Sequence, residues 1–171
     1  TSQAVRLLPG ARPFGKLYPQ NDMVDPYEIA ASIADCGQGK IAAIYFDFGE
    51  RYVNGATATA RDFLNALVRE LFPKPMVEIV GSHHVDVAVN RIGDRLAVNL
   101  VNTSGPHADA RVYTYDEVPP VGPLEITIRS GAKPVEVTLE PEGTALAYTW
   151  ENGEIKLTLP RLEIHEVIVV R

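Results

Sequence analysis

The amino-acid sequence predicts an α/β fragment built on a parallel sheet, followed by an all-β antiparallel sandwich. Residues 26–72 combine helical periodicity with a continuous apolar run, whereas residues 76–171 consist almost wholly of short strand-like segments separated by turn residues. Between the two parts stands Phe72-Pro73-Lys74-Pro75, where two prolines forbid a continued helix. We therefore predict two domains, residues 1–74 and residues 75–171.

The first half is predicted to begin with a helix and a buried strand. Asp25 is a plausible N-cap, because proline follows at the first helical position and glutamate stands three residues after the cap, so a helix is predicted over residues 26–35. Residues 41–48 are apolar except for Asp47. Such a run is typical of a strand that is covered on both faces in a parallel sheet.

A second helix is predicted after a polar loop at residues 49–55. Thr59 is a plausible cap, and the apolar residues that follow fall on one helical face. These residues are Phe63, Leu64, Leu67, Val68, Leu71 and Phe72. Since one strand cannot form a sheet by itself, either residues 3–8 supply another strand or the missing strands lie upstream.

The second half is predicted to hold a series of short strands. The clearest turn between them is Asn152-Gly153, which lies between two alternating runs and predicts a two-residue hairpin. Strands at this spacing are typical of an antiparallel sandwich of about 95 residues. The predicted strands cover residues 77–80, 85–90, 95–102, 110–115, 124–129, 134–139, 145–151, 154–159 and 164–170.

Composition and charge narrow the classes of function. The chain has 171 residues, 46% of them hydrophobic, which is enough to bury a core without metals or disulfides. The net charge is -6 and basic residues form no run, so neither nucleic acid nor a membrane surface is expected as a partner. The sequence has no segment with the length of a transmembrane helix. The cellular location stays open, because the single cysteine, Cys36, does not settle the compartment.

Asp47-Phe48-Gly49 has the letters of the magnesium-binding triplet of protein kinases. A kinase also needs a glycine-rich loop, a strand lysine and a catalytic His-Arg-Asp, and the sequence has none of these. Asp47 and Glu50 remain the candidates for catalysis or ligand binding, since the carboxyl end of a parallel strand commonly carries such groups. The alternative, which we favour, is that Asp47 caps the loop backbone while Glu50 is solvated.

Cys36 has the chemistry of a nucleophile but not the expected setting. A nucleophile elbow leads from a strand into a helix, whose N-terminus stabilises the thiolate. Here the predicted order is helix, cysteine, strand, so the helix dipole has the wrong sign. We expect a buried structural thiol.

Histidines and carboxylates in the second half raise the possibility of a metal site. His83, His84 and Asp86 are ordinary ligand types, as are His107 and Asp109. Adjacent histidines in an extended segment point to opposite faces, so at most one of the first two can join Asp86. Nothing in the sequence fixes the distance to His107. We therefore predict neither a metal nor a cofactor.

Aromatic residues in the second half offer possible stacking surfaces for a sugar ring. Trp150 and Tyr148 share one face of their predicted strand, and Tyr113 and Tyr115 form a second pair. The alternative is that these rings fill the core of the sandwich, and no sequence rule tells which face is exposed. Trp150 and Tyr148 are the candidates for carbohydrate binding.

Several short phrases of the sequence occur in an informative order. They are Gly39-Lys40-Ile41-Ala42-Ala43-Ile44, Phe48-Gly49, the helix end Glu70-Leu71-Phe72-Pro73, Val85-Asp86-Val87-Ala88-Val89-Asn90-Arg91 and Arg95-Leu96-Ala97-Val98-Asn99-Leu100-Val101-Asn102. Over most of residues 39–171 this order resembles the C-terminal region of bacterial glycoside hydrolases built like the family 42 β-galactosidases. Asn99 departs from the pattern, because such strands often carry histidine there.

The resemblance implies an arrangement of domains and a place for catalysis. In such enzymes a catalytic TIM barrel is followed by an amidotransferase-like (flavodoxin-like) trimerisation domain and a small β-sandwich. The first half of this chain would then be the end of the amidotransferase-like domain. Both catalytic glutamates of the family lie in the barrel, so the resemblance implies no catalytic residue here.

The leading hypothesis from the sequence is a non-catalytic C-terminal accessory segment of a glycoside hydrolase. Its partner would be an upstream catalytic barrel of the same protein, which it would support through packing or oligomerisation. One alternative is a carbohydrate-binding module that uses Trp150 and Tyr148. Another is a free-standing homo-oligomeric scaffold, in which the apolar residues of the helix at 63–72 form the subunit interface.

Overall fold

The chain divides into two compact units, Thr1–Lys74 (unit 1) and Pro75–Arg171 (unit 2). A computed structural model describes residues 2–20, 22–55, 57–105 and 117–171. The strand predicted at residues 110–115 lies outside this range, as do His107, Asp109, Tyr113 and Tyr115.

Unit 1 consists of a three-stranded sheet and two helices. Its elements in chain order are β1 (Ala11–Leu17), β2 (Glu28–Cys36), β3 (Gly39–Ile44), α1 (Phe48–Gly55) and α2 (Ala58–Leu71). The strands lie in the order β1-β2-β3, and both pairings are antiparallel.

The parallel α/β sheet predicted for the first half is wrong. The sheet of unit 1 is an antiparallel meander, so it is neither amidotransferase-like nor flavodoxin-like. The connection between β2 and β3 gives the physical reason, because Cys36 pairs with Gly39 across a turn of only two residues. Two residues can join antiparallel strands, whereas parallel strands need a crossover of about a dozen residues or more.

The helix predicted at residues 26–35 is also wrong, because this segment forms β2. β2 is the central strand of the meander, with β1 on one side and β3 on the other. Successive residues of its middle, Ala30, Ala31, Ser32 and Ile33, are all buried. A strand covered on both faces reads as a short apolar run, which periodicity alone cannot distinguish from a buried helix. Pairing with two neighbours outweighed the local capping signals.

The segment that holds Asp47 changes from strand to helix earlier than predicted. β3 ends at Ile44, and α1 begins at Phe48, the last residue of the predicted strand, and occupies the region predicted to be a loop. The N-terminal segment meets this stretch through an isolated bridge between Ser2 and Phe46 and through the Gln3 amide, which donates to the Tyr45 oxygen at 2.8 Å. Asp47 therefore stands between a short antiparallel strand and a helix.

The second predicted helix is confirmed as α2. Its N-cap is Thr57 rather than Thr59, and the Thr57 hydroxyl accepts a hydrogen bond from the Ala60 amide at 3.3 Å. None of the described helices is long and apolar enough to cross a membrane. The helix contributes Leu67 to a small core with Ala31 and Ile33.

Unit 2 is built from antiparallel strands. They are β4 (Val77–Val80), β5 (Val85–Ile92), β6 (Arg95–Asn102), β7 (Leu124–Arg129), β8 (Val137–Glu140), β9 (Thr144–Ala145), β10 (Thr149–Glu151), β11 (Glu154–Leu159) and β12 (His165–Val170). The described strands form one sheet in the order β10-β11-β7-β4 and another in the order β5-β6-β12-β8-β9. One buried apolar cluster draws residues from both sheets, among them Leu100, Ile126 and Ile168, which are at most 1% exposed. The predicted β-sandwich is thus supported.

Most strand predictions in unit 2 match the structure closely. The largest difference is at residues 145–151, where β9 and β10 replace one predicted strand. The predicted hairpin is confirmed, since Glu151 pairs with Glu154 across Asn152 and Gly153, which have φ values of 52° and 81°. Positive φ at both central residues is the requirement of the tight turn that Asn-Gly favours.

Asn102 ends β6 and has a structural role. Its side chain is 7% exposed, and its amide nitrogen donates to the main-chain oxygens of Pro119 (2.8 Å) and Glu163 (2.7 Å). Its amide oxygen accepts from the Ser104 amide at 2.9 Å. The asparagine of the Leu-Val-Asn phrase therefore ties together three segments at one end of the sandwich.

Candidate functional site

Asp47 and Glu50 lie at the start of α1, not at the end of a parallel strand. The main-chain oxygen of Asp47 accepts the Arg51 amide at 3.0 Å, in the first turn of the helix. Asp47 is partly buried, and Glu50 is exposed in the first turn. A negative charge at this end of a helix is stabilised by the helix dipole. The helix start accounts for both carboxylates, and their use in catalysis stays a prediction.

The phenylalanines around Asp47 belong to an aromatic cluster centred on Phe63 of α2. The Phe63 ring lies 5.7 Å from Phe46, 5.8 Å from Phe14 and 6.3 Å from Phe48, measured between centroids. Gly15 lets this cluster approach β1, since a Cβ at Gly15 would come within 2.7 Å of the Phe63 ring and its φ is +67°. The Phe-Asp-Phe-Gly stretch thus helps to fix the helices on the sheet.

A cleft of about 540 Å³ opens beside this cluster, and together with the neighbouring cleft that adjoins it we call it the unit 1 cleft. Phe46 and Phe63 form part of its apolar wall, and Lys16, Tyr18 and Arg51 bring polar groups to it. A neighbouring cleft of about 470 Å³ shares Tyr18 and Arg51 and adds Tyr27. Aromatic rings and long cations therefore line one continuous stretch of the unit 1 surface.

Cations lie against the rings of this surface. The Lys16 ammonium stands 4.1 Å from the centroid of the Tyr27 ring, and the Arg51 guanidinium stands 5.7 Å from that of Phe46. The Tyr18 and Tyr27 rings are 5.9 Å apart. Such cation–π contacts hold long side chains in place while their N–H groups stay available to hydroxyls. Rings and donors arranged in this way suit a polar ligand with one apolar face.

Sequence reasoning missed the unit 1 cleft. The mistaken helix placed Tyr27 far from β1, whereas the meander brings it beside Tyr18, just beyond the end of β1. The available signal was the pair of dipeptides Tyr18-Pro19 and Pro26-Tyr27, because proline marks turns and so places both tyrosines next to the ends of regular elements.

One end of α2 carries an apolar face that unit 1 does not cover. Leu67 is 3% exposed, but Val68, Leu71 and Phe72 are 46%, 37% and 58% exposed. These three residues are neighbours on the helix surface by their i, i+3, i+4 spacing. We call them the α2 apolar face. Only part of the predicted apolar helix face therefore packs within unit 1.

Trp150 and Tyr148 pack against the hydrophobic core of unit 2. Both rings are partly buried beside the core cluster. The Tyr148 hydroxyl donates to the main-chain oxygen of Pro134 at 3.1 Å, and the Trp150 indole nitrogen is buried without an acceptor in the described part of the chain. This placement favours a packing role for both rings, and sugar binding by them stays a prediction.

The cysteine and the histidines do not assemble into a site. Cys36 is an exposed free thiol at the end of β2, so the expectation of a buried thiol at a helix end is wrong. His83 and His84 are exposed, and the Asp86 carboxylate accepts its neighbour's amide, Val87 N, at 2.9 Å. Among the described residues, no three His, Cys, Asp or Glu side chains come together in a way that could hold a metal ion.

Comparison with known proteins identifies a fold likeness. No family model matches the sequence, and no curated protein matches it significantly. Among solved structures, the chain is similar to α-L-fucosidase isoenzyme 2 from Paenibacillus thiaminolyticus, with a TM-score of 0.69 and 17% sequence identity. The match covers 85% of this chain, a larger share than either unit alone could supply.

The fucosidase is much longer than this chain. The match covers 23% of the fucosidase chain, so this protein spans about a quarter of its length. At 17% identity the likeness shows a fold that occurs within a glycoside hydrolase.

Proposed function

We propose that this chain is a non-catalytic accessory segment of a carbohydrate-active glycoside hydrolase. Its role is to pack on a catalytic domain of the same protein and stabilise it. The observation that carries the proposal is the likeness to part of the fucosidase, which extends over 85% of this chain. The same likeness, at 23% of the fucosidase chain, leaves room for a catalytic domain elsewhere in the protein.

The α2 apolar face supports packing on a neighbouring domain. The buried core of unit 1 consists of Ala31, Ile33 and Leu67 with partly buried rings around it, whereas Phe72 is more than half exposed. Apolar area left in water weakens a small unit, and covering it stabilises both partners. The catalytic domain is the occupant that we assign to this face.

The sequence phrases support a finer assignment, to glycoside hydrolases built like the family 42 β-galactosidases. In that assignment the sandwich keeps the position that the resemblance implies for it, after the barrel and an intervening domain. The structure explains the asparagine at the end of Leu100-Val101-Asn102. Its side chain joins the end of β6, at Ser104, to the segments of Pro119 and Glu163 through hydrogen bonds. The phrase therefore serves the sandwich rather than the chemistry of hydrolysis.

An activity assay on the isolated chain tests the accessory role. We expect no hydrolysis of aryl α-L-fucosides or aryl β-galactosides. Two carboxylates of a retaining glycosidase stand about 5 Å apart and those of an inverting one stand further apart, so Asp47 and Glu50 are the pair to test. Robust hydrolysis that is lost in both Asp47→Asn and Glu50→Gln would overturn the proposal. Asp62→Asn, an exposed carboxylate on α2, is the matched control.

Carbohydrate binding is a second candidate function, favoured by the rings and cations of the unit 1 cleft. Aromatic faces suit the C–H face of a pyranose, and Lys16 and Arg51 can donate to its hydroxyls. Isothermal titration with galacto- and fuco-oligosaccharides should give binding that Tyr27→Ala abolishes and Tyr52→Ala leaves intact. If Trp150→Ala abolishes binding instead, the sugar site lies in the sandwich, at the candidate residues that the sequence offered for carbohydrate binding.

If the chain is instead a free-standing scaffold, it should associate with itself. In that case the α2 apolar face would be covered by a second copy of this chain. Light scattering of the isolated chain distinguishes the two, because a strict monomer at high concentration contradicts the scaffold. A stable oligomer that Phe72→Ser dissociates would contradict the catalytic domain as the occupant.

A further inference from the structure

A second cleft, of about 470 Å³, lies in unit 2 and has a different chemical character. It is formed by the turn between β5 and β6, the loop after β7 and the end of β12. Its charged lining residues are Arg91, Asp94, Arg129, Lys133 and Arg171. We call it the unit 2 cleft. Four cations and one carboxylate give it a positive excess in a chain whose net charge is -6.

Two of the four cations are held by glutamates outside the cleft lining. The Arg129 guanidinium lies 3.0 Å from Glu154 and 3.2 Å from Glu78, and Arg171 lies 3.1 Å from Glu136. These contacts fix two walls of the cleft. Because these two cations are paired, the charge inside the cleft depends on the other three charged residues, Arg91, Asp94 and Lys133.

The other two cations have no acidic partner in the part of the chain that the structure describes. Within residues 2–20, 22–55, 57–105 and 117–171, neither Arg91 nor Lys133 forms an ion pair or a side-chain hydrogen bond. Three consecutive main-chain amides beside them, those of Gly131, Ala132 and Lys133, also have no acceptor in the described chain. Free amides in succession next to unpaired cations are a common anion-binding arrangement.

The loop that carries these amides is fixed at both ends. The Ser130 amide donates to the Gly153 oxygen at 2.9 Å, and the Ser130 hydroxyl donates to the Ala132 oxygen at 2.8 Å. After the loop, the Val135 amide donates to the Arg171 oxygen at 2.6 Å. A loop held in this way presents its free amides without a large ordering cost when a ligand binds.

We propose that the unit 2 cleft binds the carboxylate or sulfate group of an acidic saccharide. Arg91 and Lys133 donate charge-assisted hydrogen bonds to the oxyanion, and the amides of residues 131–133 complete its coordination. The oxyanion chemistry follows from the lining residues, whereas the saccharide as its carrier rests on the proposed function. Leu96 and Val170 give the cleft an apolar floor for a sugar ring.

The unit 2 cleft has only a small excess of positive charge, so it suits a ligand group with a single oxyanion better than a polyanion. Asp94 lies in the lining, and Glu78, Glu136 and Glu154 stand close behind Arg129 and Arg171. A nucleic acid or a polyphosphate would bring several charges near these carboxylates and be repelled. One carboxylate or sulfate between Arg91 and Lys133 avoids that repulsion.

The test is a titration of the isolated chain with digalacturonate, followed by ¹H–¹⁵N NMR at low ionic strength. We expect the amide signals of residues 131–133 to shift on binding, while galactobiose, the neutral analogue, leaves them in place. Inorganic sulfate should displace digalacturonate. Because this readout uses the unaltered protein, it does not depend on whether a variant folds.

Substitutions then test how each charged side chain affects the affinity for digalacturonate. Arg91→Ala and Lys133→Ala should each weaken digalacturonate about tenfold, since each removes one charge-assisted hydrogen bond. Asp94→Asn should tighten binding severalfold because it removes the repelling carboxylate. Lys40→Ala, which removes an exposed cation of unit 1, is the control and should leave the affinity unchanged.

Three results would overturn the proposal. They are no shift at residues 131–133, binding of galactobiose as tight as that of digalacturonate, and sulfate binding without digalacturonate binding. A chain that binds digalacturonate as expected but belongs to no glycoside hydrolase would refute the proposed function and leave the oxyanion site standing. The two failures are therefore distinguishable.

Discussion

The α2 apolar face gives the sharpest prediction about how this chain is used. We consider the double variant Val68→Ser/Phe72→Ser, which removes two apolar side chains that are 46% and 58% exposed. In the isolated chain these side chains are already about half in water. Their buried halves together contribute about 1.5–3 kcal/mol to the free energy of unfolding, so the isolated variant should lose about that much.

The same variant should behave differently in a full-length protein that carries the proposed catalytic domain. Full burial of a valine or phenylalanine contributes about 1.5–3 kcal/mol, and about half of each side chain remains to be covered by a partner. Loss of both should therefore destabilise the docked arrangement by about 1.5–3 kcal/mol more than it destabilises the isolated chain. Urea unfolding of the isolated chain and of the full-length protein, each with and without the substitutions, measures the difference.

Val135→Ser is the matched control, because Val135 is 92% exposed and lies in unit 2. It should leave both proteins unchanged. Equal destabilisation of the isolated chain and the full-length protein by the double variant would refute the reasoning, since it would mean that no partner covers the exposed half of the face. No destabilisation of the full-length protein would refute the docking of this face.

Three further predictions concern the sandwich and are measured by urea unfolding. Asn102→Ala leaves hydrogen-bonding groups of three segments without a partner and should lower the free energy of unfolding by at least about 2 kcal/mol. Asn99→Ala loses one long 3.4 Å hydrogen bond and should lower it by less than about 1 kcal/mol. Equal losses would contradict the role of Asn102. Gly81→Ala should cost about 1–3 kcal/mol, because φ is +119° and a Cβ would stand 2.3 Å from a main-chain oxygen, while Gly131→Ala meets nothing within 4 Å and should be neutral or slightly stabilising. Leu100→Ala, at 0% exposure, should cost about 2–5 kcal/mol, and a loss below about 1 kcal/mol would show that the core is not packed as described.

Unit 2 could be predicted from the sequence because several of its strands, β7 and β11 among them, are buried on one face only. In β7 and β11, apolar core residues alternate with exposed or partly exposed polar ones, as at Leu124, Glu125 and Ile126. That alternation is specific to strands, and the Asn152-Gly153 turn fixes one pairing register. Pattern and turn chemistry agree in this unit, so the prediction succeeded.

Unit 1 could not be predicted in the same way. β2 is buried on both faces and rich in alanine, so it shows neither alternation nor β-branched enrichment. The glycines around its hairpin, Gly37 and Gly39, were visible in the sequence, but they mark a turn without telling which elements it joins. Only the pairing of β2 with both neighbours decides that the segment is a strand.

The clefts lie beyond sequence reasoning for a topological reason. The unit 2 cleft joins Arg91, Lys133 and Arg171, which are far apart in the chain and come from β5, the loop after β7 and the end of β12. The unit 1 cleft depends on Tyr18 and Tyr27 being brought together by the meander. In the sequence, each of these residues looks like an ordinary solvated or turn residue. A possible binding site appears only when the fold brings them together.

The central claim is that this chain serves a catalytic domain of a glycoside hydrolase. The most direct measurement is the coding sequence immediately upstream of the codon for Thr1. The account predicts an open reading frame continuous with this chain that encodes a (β/α)₈ barrel with two glutamates at strand ends. A stop codon in that frame, or an upstream domain without such a barrel, would contradict it.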